Sequence, residues 1–172
     1  MQPQKTILIG VGNPFRSDDG AGRIVLAHLR GRIPTAVEVL EETGDGAELL
    51  DNWKDADSVI VVDAVQSGAP PGTIHVWDAR TEKLPGWFSH SSTHAFGVAE
   101  AIELARTMGD LPQRLIVYGI EGLDFSAGTE LSPEVAQAVP TVAKLMLLEI
   151  LCLSGASDPR DVSKSRSCCG TV

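Results

Sequence analysis

The sequence predicts a single α/β domain, in which one doubly wound, mostly parallel, twisted sheet carries helices on both faces. Residues 6–9, 58–63 and 115–120 are near-continuous β-branched and apolar runs, typical of strands that are buried on both faces. Helical patterns at 19–30 and 95–108 separate such runs, which favours parallel strands joined by crossover helices. With 172 residues, 43% of them hydrophobic, the chain is long enough for one substantial core.

The remaining elements of the first half follow in order. The first helix should end near Gly31, and residues 37–40 read as a second strand. A glycine-containing turn at 43–46 then leads to a short helix at 47–53. The strand at 58–63 completes this half of the sheet.

The middle of the chain is less regular. After a loop rich in glycine and proline, residues 73–77 alternate in polarity and predict a strand at a sheet edge. Residues 84–93 show no period, and we expect a surface loop there. Ser92 or Thr93 should cap the next helix, which would place His94 in its first turn.

The last part of the domain begins with a loop at 124–131. Ser132 followed by Pro133 is a sound helix start, because serine caps the helix and proline at the first helical position loses no hydrogen bond. Pro140 should kink or restart this helix. Its continuation at 141–153 is strongly apolar and must pack on the sheet.

We expect one domain over residues 1–154 and a disordered tail over 155–172. The tail is polar, rich in serine and mixed in charge, so it cannot bury enough apolar surface to order itself. No internal repeat and no second domain is recognisable in the sequence.

Charge and cysteine content exclude several function classes. A net charge of −9 argues against nucleic acid as a partner, because phosphate binding needs a surplus of lysine and arginine. Three cysteines do not make a disulfide framework for a domain of this size, which favours a reducing compartment. With no recognisable signal peptide and no run of about 18 apolar residues, we expect a cytoplasmic protein that does not enter membranes and is a monomer.

The first strand is followed by the densest group of unusual residues. Gly10 and Gly12 let the backbone turn sharply and bring its N–H groups close to another group. Ser17 or Asp18 can cap the first helix, which leaves Asp19 free to point at a ligand.

Three polar residues are predicted near one edge of the sheet, where ligands of doubly wound folds bind. Asp19 follows the first strand, Asp63 ends the third, and His94 opens a later helix. Two carboxylates and an imidazole suit a borderline divalent cation such as Zn²⁺ or Ni²⁺. Without a metal site, Asp19 would be a carboxylate favoured by the helix dipole, Asp63 would cap the turn after its strand, and His94 would be a histidine that binds no metal. His90 competes with His94 for the metal role.

Other candidate sites are weaker. A dinucleotide fingerprint would need a third glycine where Phe15 stands. Glu121 follows its strand at the same edge, where it either supports the site, faces substrate or is an exposed loop carboxylate. Cys168 and Cys169 lie in the predicted tail and are expected to be inert.

Several separated segments of the chain carry recognisable motifs: Gly10-x-Gly12-Asn13, Asp18-Asp19-Gly20-x-Gly22, Val61-Val62-Asp63-Ala64, Ser92-Thr93-His94, Gly119-Ile120-Glu121-Gly122 and residues 128–135. In sequence and in their order along the chain, these segments resemble the hydrogenase maturation proteases, the endopeptidases that trim the C-terminus of the nickel–iron hydrogenase large subunit. The match spans about residues 5 to 150 and is specific because the separate segments all agree with the same family.

The resemblance implies that Asp19, Asp63 and His94 are catalytic and converge on a metal. It further implies that nickel seated in the precursor serves for recognition, and Zn or Cd could occupy the same site. The cation would either polarise the scissile carbonyl or activate a water molecule. Substrate contacts are predicted at Gly10, Gly12, Asn13, Thr43, Gly44 and Glu121.

Two other function classes use the same sheet edge. A nucleoside phosphorylase or hydrolase would bind phosphate or ribose there, but Arg16 is the only basic side chain near the glycine turn. A non-catalytic metal-sensing chaperone would bind the precursor without cutting it.

Overall fold

A computed structural model describes residues 4–88 and 96–155. Its five strands form one sheet in the order β2-β1-β3-β5-β4, in which only the pairing of β4 with β5 is antiparallel. The predicted doubly wound, mostly parallel sheet is therefore confirmed, with β4 at an edge as expected. The strands are β1 (Thr6–Val11), β2 (Val37–Glu42), β3 (Ser58–Val65), β4 (Ile74–Asp78) and β5 (Arg114–Glu121).

The described helices cover both faces of the sheet. A short 3₁₀ helix, Ser17–Gly20, leads directly into the first α-helix. The four α-helices are α1 (Ala21–Leu29), α2 (Gly46–Trp53), α3 (Val98–Met108) and α4 (Pro133–Gly155). Side chains of α2 and α3 share a core with one face of the central strands, and those of α1 and α4 share a second core with the other face.

Two glycines allow α1 to lie unusually close to the sheet. A Cβ atom on Gly22 would stand 2.4 Å from the Val62 carbonyl oxygen and 2.5 Å from that of Val11. A Cβ atom on Gly10 would meet the Leu26 side chain at 2.6 Å. Side chains at these positions would push the helix away, so these glycines set the position of the first helical turn over β1 and β3.

Helix α4 continues through Pro140, where the sequence predicted a kink or a restart. Proline removes the hydrogen bond to the Ala136 carbonyl, but both residues lie on the exposed side, where solvent can bond that carbonyl. Val139 and Val142 are buried against the sheet on either side of the proline and hold the helix together. Because α4 runs to Gly155, the predicted tail is shortened at its start, and the rest of it lies outside the described residues.

Two other expectations for the middle of the chain are wrong. The segment before the undescribed residues 89–95 is not a purely surface loop, since Phe88 is 2% exposed and packs against Trp77 and Trp87. Helix α3 begins at Val98 with Gly97 as its cap, and the Glu100 carboxylate accepts the Gly97 N–H at 3.0 Å. The helix thus starts three residues later than the predicted Ala95, and Ser92, Thr93 and His94, to which the sequence assigned its cap and first turn, lie outside the described residues.

Within the described part of the chain, one helix is long and apolar enough to cross a membrane, over Pro133–Leu153. Its apolar stripe includes Val135, Val142, Met146 and Ile150, all packed in the core beside α1. Core packing accounts for the apolar residues on this side of the helix, whereas Leu145, Leu148 and Leu151 are 38%, 51% and 49% exposed. The sequence pattern had not indicated so long an apolar segment.

Candidate active site

The turn after β1 folds back onto the 3₁₀ helix and presents Asp19. Gly12 has a φ of +129°, and a Cβ atom there would stand 1.7 Å from the Asp19 carbonyl oxygen. Only glycine fits at this position. The next residue, Asn13, donates its backbone N–H to Asp19 Oδ2 at 3.0 Å, which orients the carboxylate.

Asp63 lies on the neighbouring strand, close to this turn. The described pairing between β1 and β3 ends at Gly10 and Val62, so Asp63 is the first residue of β3 beyond its pairing with β1. The strand runs on to Val65, two residues further than predicted, and Asp63 pairs with Gly119 on its other side. Asp63 and Asp19 are 7% and 8% exposed.

The two carboxyl groups affect each other electrostatically. Burial raises the pKa of Asp63 most strongly, the negative charge of Asp19 raises it further, and a hydrogen bond from the Ala64 N–H opposes both, so that its value is about 8. Among the described residues, no ion pair involves either carboxylate. The arrangement is therefore a buried acidic pair that no cationic side chain of the described residues neutralises by an ion pair.

The third predicted ligand, His94, lies outside the described residues, as does its competitor His90. Phe96, which follows after one residue, accepts the Gly46 N–H on its carbonyl oxygen at 2.9 Å. Gly46 opens α2 directly after the turn at the end of β2, so the chain at Phe96 lies at the same sheet edge. Within residues 4–88 and 96–155 there is no group of three or more metal-ligating side chains that could hold an ion.

Asp18 has a different role from the helix cap that the sequence predicted. Neither the 3₁₀ helix nor α1 has a side-chain cap. Instead, the fully buried Asp18 carboxylate accepts the N–H groups of Leu123 at 2.8 Å, Asp124 at 2.9 Å and Ser132 at 2.6 Å, and the Ser132 hydroxyl at 2.8 Å. These bonds brace the loop between β5 and α4 against the turn that carries Asp19.

Glu121 also forms internal bonds. One carboxylate oxygen accepts the N–H groups of Ser67 at 2.8 Å and Gly68 at 2.9 Å, and the other accepts the Ser67 hydroxyl at 2.7 Å. His75 Nε2 lies 3.4 Å from the second oxygen, without hydrogen-bond geometry. With 2% exposure, Glu121 holds the loop after β3, which favours a structural role over the predicted contact with substrate.

The other predicted substrate contacts differ in accessibility. Gly10 is buried inside β1 beneath α1, so the structure gives it a packing role. Asn13 and Thr43 are exposed at the sheet edge. Gly44 has a φ of +93° and shapes the turn beside Val11, where a Cβ atom would stand 3.0 Å from the valine side chain.

A polar cleft of about 500 Å³ opens beside the braced loop. No pattern in the sequence indicates this cleft, because it forms only when the loop after β5 meets the turn after β1. Ser17 contributes from the turn, and its backbone N–H bonds the Gly128 carbonyl at 2.9 Å. The lining residues are Ser17, Asp124, Gly128, Thr129, Glu130, Leu131 and Ser132.

Comparisons with known proteins agree with this fold. A family model described as hydrogenase maturation protease matches residues 25–149, more than half of the chain, including Asp63 and His94. The hydrogenase expression/formation protein HupD of Thiocapsa roseopersicina is 33% identical over 87% of this chain and 68% of its own length. The hydrogenase 2 maturation protease of Escherichia coli K12 is 31% identical over 67% of this chain and 72% of its own length.

Among solved structures, the hydrogenase maturating endopeptidase HybD of Escherichia coli superposes with a TM-score of 0.71 at 26% identity, covering 88% of this chain and 94% of that one. The fold and the family match define a small α/β peptidase. The chain belongs to the hydrogenase maturation protease family. The resemblance noted in the sequence is thereby confirmed, and the peptidase class is favoured over both a nucleoside-processing enzyme and a non-catalytic chaperone.

Proposed function

We propose that this chain hydrolyses one peptide bond of a nickel-loaded hydrogenase large-subunit precursor and so removes its C-terminal extension. The observation that carries the proposal is the buried pair of Asp19 and Asp63 at the carboxyl edge of β1 and β3. Two carboxylates held together without a cation are unfavourable unless a positive ligand completes them. An ion seated in the substrate would supply that charge.

His94 is proposed as the third ligand at this edge. The described chain resumes at Phe96, whose carbonyl is hydrogen-bonded to the start of α2. Carboxylate oxygen and imidazole nitrogen together suit Ni²⁺, and Zn²⁺ or Cd²⁺ would fit the same donors. The nickel is thus part of the substrate, and the protease recognises it by completing its coordination.

The chain's own residues have defined tasks in this proposal. A cation between the carboxylates supplies Lewis acidity, either toward the scissile carbonyl or toward an attacking water. With its pKa at about 8, Asp63 is protonated in the free protein at neutral pH and must release that proton when it binds a cation. The Asn13 N–H keeps Asp19 oriented throughout. Accessible substrate contacts are proposed for Asn13 and Thr43, whereas the buried Gly12 and Gly44 would act by shaping the turns that present them.

The proposed client is a protein, and the proposed compartment is the cytoplasm. A net charge of −9 makes nucleic acid an unsuitable partner. We propose that the protein acts as a monomer and outside membranes, since the apolar helix of suitable length among the described residues packs one side into the core.

The proposal is tested by incubating the protein with a large-subunit precursor, with and without nickel, and measuring the precursor's C-terminus by mass spectrometry. We expect removal of one C-terminal peptide from the nickel-loaded precursor alone. Asp19→Asn, Asp63→Asn and His94→Ala should each lower the cleavage rate by about 10³-fold or more, because each removes a ligand that acts in the reaction.

Asp55→Asn is the matched control, because this exposed aspartate lies in the turn before β3, at the opposite end of the strand from the acidic pair. It should cleave at the wild-type rate. Cleavage by Asp63→Asn at the wild-type rate would end the proposal, and so would an intact precursor after incubation with the wild-type protein.

A further inference from the structure

Two large apolar side chains are exposed beside the proposed active site. Phe15 is 70% exposed in the turn after β1, and Leu123 is 59% exposed in the loop after β5. A single exposed apolar residue on a protein surface needs no explanation. Two such residues need an explanation when their loops are both bonded to the turn that carries Asp18 and Asp19. Apolar surface next to a cleft is typical of a binding site.

Both residues are held in place by backbone bonds rather than by their side chains. The Leu123 N–H donates to Asp18 Oδ2 at 2.8 Å, and the Phe15 carbonyl accepts the Gly128 N–H at 3.0 Å. The Phe15 N–H in turn donates to Asn13 Oδ1 at 2.9 Å. The side chains themselves are therefore free to contact a partner, while the backbone beneath them is pre-organised.

These bonds also link Phe15 and Leu123 to the acidic pair. Asn13 donates its own N–H to Asp19, and Asp18 is the adjacent residue. Only a few bonds separate Phe15 and Leu123 from the carboxylates, so a partner bound to these two side chains is held in a defined position relative to the acidic pair. The polar cleft lies between the same two loops, from Ser17 to Ser132, and offers room for an extended chain.

We propose that Phe15 and Leu123 are the apolar anchors that dock the folded body of the precursor beside its cleavage site. The inference rests on the proposed function, and it commits to the precursor as the occupant because backbone bonds tie both residues to the turn that carries Asp19. Exposed apolar side chains such as these become the buried anchors of an interface when a folded protein partner covers them. A free peptide in the polar cleft would not need them.

The test compares the variants Phe15→Ala and Leu123→Ala in steady-state cleavage of the nickel-loaded precursor. Each should raise KM about tenfold and leave kcat unchanged, because docking residues act before the chemical step. Met108→Ala is the matched control: this side chain is 61% exposed, but it ends α3 and precedes the start of β5, at the opposite edge of the sheet. It should leave KM unchanged.

Binding is measured separately, by calorimetric titration of the precursor into each variant, so that docking and cutting can fail independently. If the wild-type protein cleaves and both alanine variants bind as tightly as wild type, the docking proposal is wrong and the protease proposal stands. If the wild type binds without cutting, and the variants lose about tenfold in affinity, docking stands and proteolysis falls. If the wild type does not bind the precursor, both are overturned.

Discussion

Two sets of buried carboxylates lie at the same edge of this sheet, and their surroundings differ. Asp18 and Glu121 each accept several N–H and hydroxyl groups from neighbouring loops. Asp19 and Asp63 lie close enough for their charges to interact, and burial together with the Asp19 charge raises the pKa of Asp63. Asp18 and Asp19 are adjacent in the sequence, yet they belong to different sets.

The difference separates structural carboxylates from those that await a ligand. A buried carboxylate with hydrogen-bond donors on its oxygens stabilises the loops that supply them. A buried pair that lacks a cation costs stability, and it persists where a ligand repays that cost. Substitutions in the two sets should therefore have different effects on the free energy of unfolding and on cleavage.

The largest stability effect is expected for Asp18→Ala, which leaves four partly buried donors without their acceptor. We expect the free energy of unfolding to fall by about 3 to 5 kcal/mol in urea denaturation. Asp19→Ala, next to it, loses one backbone bond and a repulsive charge, and should change stability by about 1 kcal/mol or less. Similar losses in the two variants would contradict the division into two sets.

A pH-dependent effect of intermediate size is expected for Asp63→Asn. The Asp63 carboxyl ionises at about pH 8 in the folded protein and near 3.8 when unfolded, so the folded state binds more protons between these values. Wild-type stability contributed by this group is therefore full below about pH 4 and is lost as the pH rises toward 8.

Asparagine does not titrate, so the stability of Asp63→Asn relative to wild type should increase by about 2 kcal/mol between pH 5.5 and 7.5. Denaturation curves of the cation-free proteins at the two pH values measure this difference. Asp55→Asn provides the baseline and should show no such trend. A constant difference between Asp63→Asn and wild type would mean that Asp63 is not a buried, destabilised acid.

The smallest effect is expected for Glu121→Gln, which keeps one carbonyl oxygen for the Ser67 and Gly68 N–H groups and loses the acceptor for the Ser67 hydroxyl. We expect a loss of about 1 kcal/mol in unfolding free energy and an unchanged cleavage rate. Glu38→Gln is the control, because its ion pair with Lys5 is exposed and worth little. A large loss of cleavage with normal stability would instead assign Glu121 to substrate binding.

Much of the fold was predictable because it depends on local patterns. The buried runs at β1, β3 and β5 and the alternating edge strand β4 were recognisable from residue type and period alone. Pro140 was misjudged, since a local rule predicts a break, whereas the buried residues on either side of it decide that α4 continues. The cap of α3 was misplaced for a related reason, because Glu100 bonds the Gly97 N–H.

The site was predictable only in part. Asp19 and Asp63 were singled out by their positions after strands, while the family resemblance, not spacing, implied that they converge with His94. The bracing role of Asp18 could not be deduced from sequence, because its partners Leu123 and Ser132 lie more than a hundred residues away in the chain. The same holds for Phe15 and Leu123, whose exposure depends on how two distant loops meet.

The central claim, that Asp19 and Asp63 together receive a cation, is tested most directly by calorimetric titration of Cd²⁺ into the precursor-free protein at pH 7. Measuring in two buffers of different ionisation enthalpy counts the protons released on binding. We predict about one proton per ion, from Asp63, whose pKa is about 8, and loss of both binding and proton release in Asp63→Asn. Cd²⁺ binding by Asp63→Asn with wild-type affinity would contradict the account.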